Sequence, residues 1–336
     1  MSESPAAQRT VAITGASGMI GSALSEALRE RGDQVLHLVR RAPRAEGLPA
    51  GVTEAEWVPD ERRLDPLLLD GVDAVVHLAG AGIGDQRWTK ERKREILRSR
   101  VDGTTAVSEA VAAHGSRVRL VSASGVGYYG DRGADVLTEE SSLGQGFLAE
   151  VVRDWEAATW HAEQAGAPVV HARSGIVLAP QGGAMARLMP LAKAGLAGPL
   201  GSGKQFWAWI TLRDEVRALM FLVDRPDITG AVNLAAPTPE SQSTVVKALG
   251  EELHRPTVLP APTIALRLAL GQMAGEILGS QRALPTVLSD AGFTWEHPDL
   301  DAAMEWLVQA QKDAKDGRGT TEKGSEGSHE DVAEVE

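Results

Sequence analysis

Thr14 to Gly21 read TGASGMIG, with glycines at 15, 18 and 21. The motif leaves the apolar run VAIT (11–14) and opens an amphipathic stretch, the setting in which such a triad holds a dinucleotide. Gly15 permits a tight turn, Gly18 lets the backbone approach a pyrophosphate, and Gly21 lets a helix pack close to the strand. The first helical N–H groups, at Met19 and Ile20, add hydrogen-bond donors and the positive end of the helix dipole. The plain alternative is a glycine-rich turn without a ligand, and the strand–turn–helix setting argues against it.

The residues beyond the next apolar run select the dinucleotide. A site for NAD places an acid about 20 residues past the glycines, on the ribose 2′-hydroxyl. Here QVLHLV (34–39) ends in Arg40-Arg41, and no acid stands between Asp33 and Glu46. Planar guanidinium forks match the oxygens of a 2′-phosphate. Ser17 adds a hydroxyl. The pattern predicts NADP(H) over NAD(H); two solvated strand-end arginines are the alternative.

These residues need a frame. Ile20, Ala23, Leu24, Ala27 and Leu28 make one apolar stripe on a helix over 19–31, and Gly32 stands at its expected stop. Strands are expected at 11–14, 34–39, 72–80, 117–124, 167–178 and 230–236, with helical segments between most of them. Repeated β-α-β with nearly continuous apolar strands predicts an α/β fold, a parallel sheet covered on both faces. The length of 336 residues suits two domains or one large α/β unit. Residues 1–8 read as a disordered leader. PTVLPAP (256–262) reads as a rigid connection, followed by helical patterns at 263–278 and 299–310. Residues 311–336 hold eight acids, four bases and only Val332 and Val335 as aliphatic β-branched residues, and are expected to be a disordered acidic tail.

TGxxGxxG after the first strand, HLAG (77–80), SASGVGYYG (122–130) and WITLRDEV (209–216) together resemble the extended short-chain dehydrogenase/reductase superfamily. RWTKERKREILRSRVDGT (87–104), FLAEVVRDWEAA (147–158), LGSGKQFWAWI (200–210) and ALRLALGQMAGEILGSQRALPTVLSDAGF (265–293) resemble its atypical NAD-dependent epimerase/dehydratase-like branch, which carries a C-terminal module of unknown function, DUF1731. The resemblance spans about residues 9–310. It implies a Rossmann-type doubly wound parallel sheet of seven strands over 9–240. It also implies a smaller interwoven substrate lobe at about 180–210 and a C-terminal helical module at 250–310.

The same resemblance implies site residues. Leu78, Ala79, Gly80, Ser122, Gly175 and Ile176 would line the cofactor, with Arg100 as a cofactor-side cation. Ser124 would orient substrate or cap a turn. Typical members use a Tyr-x-x-x-Lys pair as acid/base. Here Phe147 and Val151 occupy those positions and can move no proton. Tyr128 and Tyr129 are the chain's two tyrosines, and Tyr129, in the Tyr-Gly pair, is the expected substitute acid/base; loop packing is the alternative. No lysine follows four residues later to supply a cation. Lys204 could attract an anionic substrate, while Trp207 and Trp209 suit a pocket wall or a core equally. Thr211 stands where the family has histidine, and Asp214 is expected at a helix start.

Composition excludes several classes. There is no cysteine, so disulfides and thiolate chemistry are absent, which fits a cytoplasmic protein. The eight histidines show no metal-ligand spacing, and no Gly-x-Ser-x-Gly elbow occurs. A net charge of −12 opposes nucleic-acid binding. The basic run 86–100 is interleaved with Glu91 and Glu95, as on a solvated helix face. No apolar run reaches the length of a membrane span. The expectation is an NADP(H)-binding oxidoreductase or epimerase acting on a small oxygenated substrate, sugar nucleotides included, and pairing as a homodimer by family likeness. The rival is a non-catalytic NADPH-binding regulator or scaffold, since distant relatives are division-related factors.

Overall fold

A computed structural model describes residues 8–325, with side chains as far as residue 314. Its central strands are β1 (Thr10–Thr14), β2 (Gln34–Val39), β3 (Val52–Glu56), β4 (Ala74–His77), β5 (Arg119–Gly125), β6 (Val169–Ser174) and β7 (Gly230–Leu234). They form one sheet in the order β7-β6-β5-β4-β1-β2-β3, parallel at every ladder. The strand order reverses between β1 and β4. Doubly wound sheets open their ligand crevice there, at the carboxyl ends of the strands.

Both faces of the sheet are covered, which is why the inner strands are apolar along their whole length. Val11, Ile13, Val76, Val121 and Val170 pack under helices α1 (Met19–Arg31) and α4 (Leu212–Asp224). Ala12, Val75, Leu120 and Val169 pack on the opposite face, under the Ala106–Val111 stretch of α2 (Lys90–Ala112). Helix α3 (Phe147–Ala157) lies on that second face. The stripe predicted for α1 faces the core, and Gly32 ends the helix at φ 99°, in the left-handed region.

The single strand expected over 167–178 is two. Gly175 leaves the sheet, and Ile176–Leu178 pairs with Trp209–Thr211 instead. A Cβ at Gly175 would stand 2.4 Å from the Ala208 carbonyl oxygen, so the crossing needs glycine. Trp207 and Trp209 are buried in the cluster built from this segment, the helix Met185–Lys193 and the C-terminal helix α5 (Leu300–Ser325). They are core, which removes the pocket-wall alternative.

The C-terminal segments thread back into the first part of the chain. Arg282–Ala283 pairs with Val136–Leu137. The Asp214 carboxylate accepts N–H bonds from Glu296 (2.8 Å) and His297 (2.9 Å). Of the expected leader only Gln8 is described, bonded to the Gly32 carbonyl. The tail expectation is corrected over 311–325, which continues α5 as helix. Gln311 anchors this turn by bonds to Lys193 and to the Pro180 carbonyl, and an anchored helix propagates without burying each residue. Val332 and Val335 lie outside the described residues. Among the described residues no helix is long and apolar enough to cross a membrane, and no cluster of three metal-ligating side chains occurs.

Candidate functional site

The glycine turn closes against the start of α1 at the end of β1. Gly15 has φ +70°, and a Cβ there would meet Leu78 C and Ala79 N at 3.0 Å. A Cβ on Gly21 would stand 2.3 Å from the Gly15 oxygen. The turn, the helix and the Leu78–Ala79 backbone therefore approach as closely as a dinucleotide fold requires. Thr14 fastens the two strand ends: its Oγ1 accepts the N–H groups of Leu78 (3.1 Å) and Ala79 (3.2 Å). Its own proton goes to His77 Nδ1, 2.7 Å away, so the buried imidazole is neutral, and burial pushes its pKa down to about 3.

The start of α1 fits an anion. No side chain caps it, and no acid stands in its first turn. Its leading N–H groups therefore keep their donor capacity and dipole. Ser17 and Gly18 are exposed, while Met19 and Ile20 are half-buried. The loop after Leu178 folds onto this point, since a Cβ at Gly182 would lie 2.9 Å from Met19 Sδ.

At the end of β2, Arg40 is exposed and has no polar partner among the described residues. Arg41 is held by Glu54 of β3, through Nη1 to Oε2 (2.8 Å) and Nη2 to Oε1 (2.7 Å). Arg44 grips the same carboxylate. The two guanidiniums, Arg41 first, keep Glu54 well below the usual carboxylate range. Arg44 and Glu54 were missed in the sequence. Arg44 is five residues past the strand, and Glu54 becomes visible only once β3 is placed beside β2.

Across the crevice, Ser124 and Tyr129 belong to a buried polar network. Arg173 makes a two-point ion pair with Glu156 of α3, Nε to Oε1 and Nη2 to Oε2, both 2.8 Å. Ser124 donates to Glu156 Oε1 (2.6 Å). Tyr129 donates to Asn233 Oδ1 (2.8 Å) and accepts from Arg173 Nη1 (3.1 Å). Tyr129 is wholly buried, and that burial raises its pKa despite Arg173. The Tyr129 hydroxyl, expected as a proton donor, is thus bonded within the protein on both sides. Tyr128, half-buried, is the phenol with an open side, and Arg173 lies 3.5 Å from its ring centroid.

Two other expected contacts are placed differently. Ser122 is buried, its hydroxyl turned to the Ala123 carbonyl of its own strand. Arg100 is also buried, donating from Nη1 to the carbonyls of Ala81 (2.9 Å) and Ile96 (3.2 Å) and lying over Trp155. It packs on Gly80 and braces the crevice wall rather than facing the crevice as a free cation. The N–H groups of Gly175 and Ile176 are taken by the Leu234 and Ala208 carbonyls. Phe147 and Val151 sit in an apolar cluster with Trp88 and Met273 of the C-terminal module. Lys93 lies 4.6 Å from the Phe147 ring centroid. Thr211 caps α4 as a structural hydroxyl, with His297 Nδ1 3.0 Å from it. Lys204 is exposed.

The model of the NAD dependent epimerase/dehydratase family matches residues 11–235, and that of the domain of unknown function DUF1731 matches 261–307. An epimerase family protein of Mycobacterium bovis is 45% identical over 303 residues, covering 90% of this chain and 98% of its own length. The human epimerase family protein SDR39U1 (isoform 2), crystallised with NADPH, is similar at a TM-score of 0.79 and 28% identity, covering 89% of this chain and 99% of that one. MoeE5 in complex with UDP-glucose and NAD is similar at a TM-score of 0.67 and 25% identity, covering 90% and 99%.

Proposed function

The chain belongs to the NAD dependent epimerase/dehydratase family, and from that premise we propose that it binds NADP(H) and uses it in oxidoreductase or epimerase chemistry on a small oxygenated substrate. The observation that carries the cofactor reading is the uncapped glycine turn beside an arginine cluster at the end of β2. Gly15, Gly18 and the first turn of α1 would hold the pyrophosphate, and Arg40, Arg41 and Arg44 the 2′-phosphate. A bound nicotinamide would supply hydride transfer. The chain's own task is then to seat the substrate and move one proton. Tyr128 Oη is the group for that proton, because Tyr129 and Ser124 are spent on the buried network. The NADPH in the human relative supports the phosphate form, and UDP-glucose in MoeE5 supports a sugar nucleotide as substrate.

Titration with NADPH and NADH tests the cofactor reading: NADPH should bind at least tenfold tighter, and Arg40→Ala should narrow the gap. Equal affinity of the unaltered protein for both would sink it. Absorbance at 340 nm with sugar nucleotides, aldehydes and quinones tests turnover. The second reading, an NADPH-binding regulator without turnover, is favoured by one observation: Phe147 and Val151 fill the usual acid/base positions with packed apolar groups. Binding without turnover across that panel, with a protein retained in pull-down, would select it.

A further inference from the structure

We propose that Glu54 is a positioning residue that sets the preference for NADP(H), by locking Arg41 and Arg44 into one rigid receptor for the 2′-phosphate. This deepens the cofactor reading and rests on it. The carboxylate of Glu54 accepts five hydrogen bonds from two residues. Arg41 supplies Nη1 and Nη2 at 2.8 and 2.7 Å. Arg44 supplies its backbone N–H at 2.8 Å, Nε at 3.2 Å and Nη2 at 2.8 Å. The Glu54 side chain is 1% exposed, whereas those of Arg41 and Arg44 are 51% and 54% exposed. The acid is covered and the cations face outward.

The position fits the task. Glu54 is in register with His37 on β2, and Thr14, where the glycine turn begins, is in register with Leu38 of the same strand. The arginines therefore stand at the strand end next to the glycine turn, where a dinucleotide presents its adenosine ribose. An arginine on an exposed loop samples many rotamers and loses that freedom on gripping a phosphate; one already fixed by a carboxylate loses less. Three guanidiniums against one carboxylate leave a surplus that matches a phosphate dianion. The backbone bond from Arg44 also pins the loop after β2, so the carboxylate fixes a main-chain position as well as two side chains.

The sign of one substitution separates positioning from competition. Glu54→Gln removes a negative charge, so electrostatics alone would tighten phosphate binding. Loss of positioning would weaken it. In the full-length protein, 2′,5′-ADP and 5′-AMP are titrated by calorimetry, and NADPH and NADH by fluorescence. Glu54→Gln should lower affinity for 2′,5′-ADP and NADPH on the order of tenfold, leaving 5′-AMP and NADH within about twofold. Glu54→Asp should recover part of the loss. Arg44→Lys, which keeps the charge and removes the fork, should also lose the preference. Equal or tighter binding of 2′,5′-ADP by Glu54→Gln overturns the proposal, as does equal weakening of all four ligands or an Arg44→Lys protein that matches the unaltered one. An unaltered protein with no preference for 2′,5′-ADP over 5′-AMP defeats the cofactor reading itself. A preference intact in both the unaltered and Glu54→Gln proteins defeats the role of Glu54 alone.

Discussion

The guanidinium carbon of Arg173 lies 3.5 Å from the centroid of the Tyr128 ring, at the carboxyl end of β5. Glu156 holds that guanidinium at two points, so the cation does not move away from the phenol. Tyr128 is also the one of the two tyrosines with an open side. Tyr128→Phe should therefore lower turnover by about 10²- to 10⁴-fold, the usual share of a general acid/base, with NADPH affinity unchanged. Tyr129→Phe should keep turnover and lose about 1–3 kcal/mol of stability, because Asn233 Oδ1 and Arg173 Nη1 lose a buried partner. Rates at 340 nm and urea unfolding of both variants check the pair of outcomes. Full activity in Tyr128→Phe would remove this phenol from the chemistry.

The ion pair beneath it should behave as a buried one. Arg173 and Glu156 side chains are 5% and 11% exposed. Glu156→Ala leaves an uncompensated guanidinium and an unpaired Ser124 hydroxyl, and is expected to destabilise the fold by about 3–5 kcal/mol. Salt should change that difference little, since buried pairs are poorly screened. A loss under about 1 kcal/mol in guanidine-free urea melts at low and high salt would mean that water reaches the pair.

Much of the frame was legible because local signals agreed. The stripe of α1 and Gly32 mark one helix end to end, and the apolar runs of β1, β2, β4 and β5 name their strands. The missing strand, β3, reads VTEAE; it is a sheet edge with one partner, so its alternation is half polar and carries no apolar run. Overlooking it concealed Glu54 and the arginine fork. Glu156 and Arg173 lie 17 residues apart on different elements, and no spacing rule joins them. The helical residues 311–325 were hidden because polarity was read as disorder, while Gln311 ties the turn to Pro180 through a contact 131 residues away.

Gly21 gives a test of the turn itself. Its Cβ position lies 2.3 Å from the Gly15 oxygen and 2.9 Å from Ala16 Cα, both backbone atoms that cannot swing aside. Gly21→Ala must push α1 off the turn, a strain of roughly 1–3 kcal/mol. The helix start then moves away from the pyrophosphate position. NADPH and NADH should weaken together, unlike the selective loss expected from the arginines. Unchanged affinity for both, by fluorescence titration, would separate the glycine turn from dinucleotide binding.

Glu215 supplies the pH dependence. It is buried in the first turn of α4, where Oε1 accepts from Ser174 Oγ at 2.6 Å and Oε2 has no partner among the described residues. Burial pushes the carboxyl up to about 7, against a smaller downward pull from the Ser174 hydroxyl. Below about pH 4.5 the folded and unfolded chains both carry this proton, and its contribution to stability is fully present. Between about 4.5 and 7 the unfolded chain releases the proton while the folded chain retains it, so stability falls as pH rises. Above about 7 both forms are ionised and the loss is complete, about 3 kcal/mol at most. Glu215→Gln keeps the size and an acceptor for Ser174 but never ionises. The two proteins should therefore melt alike near pH 4, with the variant gaining steadily toward pH 8. Other titrating groups are common to both proteins and cancel in the difference. Unfolding curves that keep a constant separation from pH 4 to 8 would show that Glu215 ionises as readily in the fold as in water, and that its surroundings are not the dry ones its burial implies.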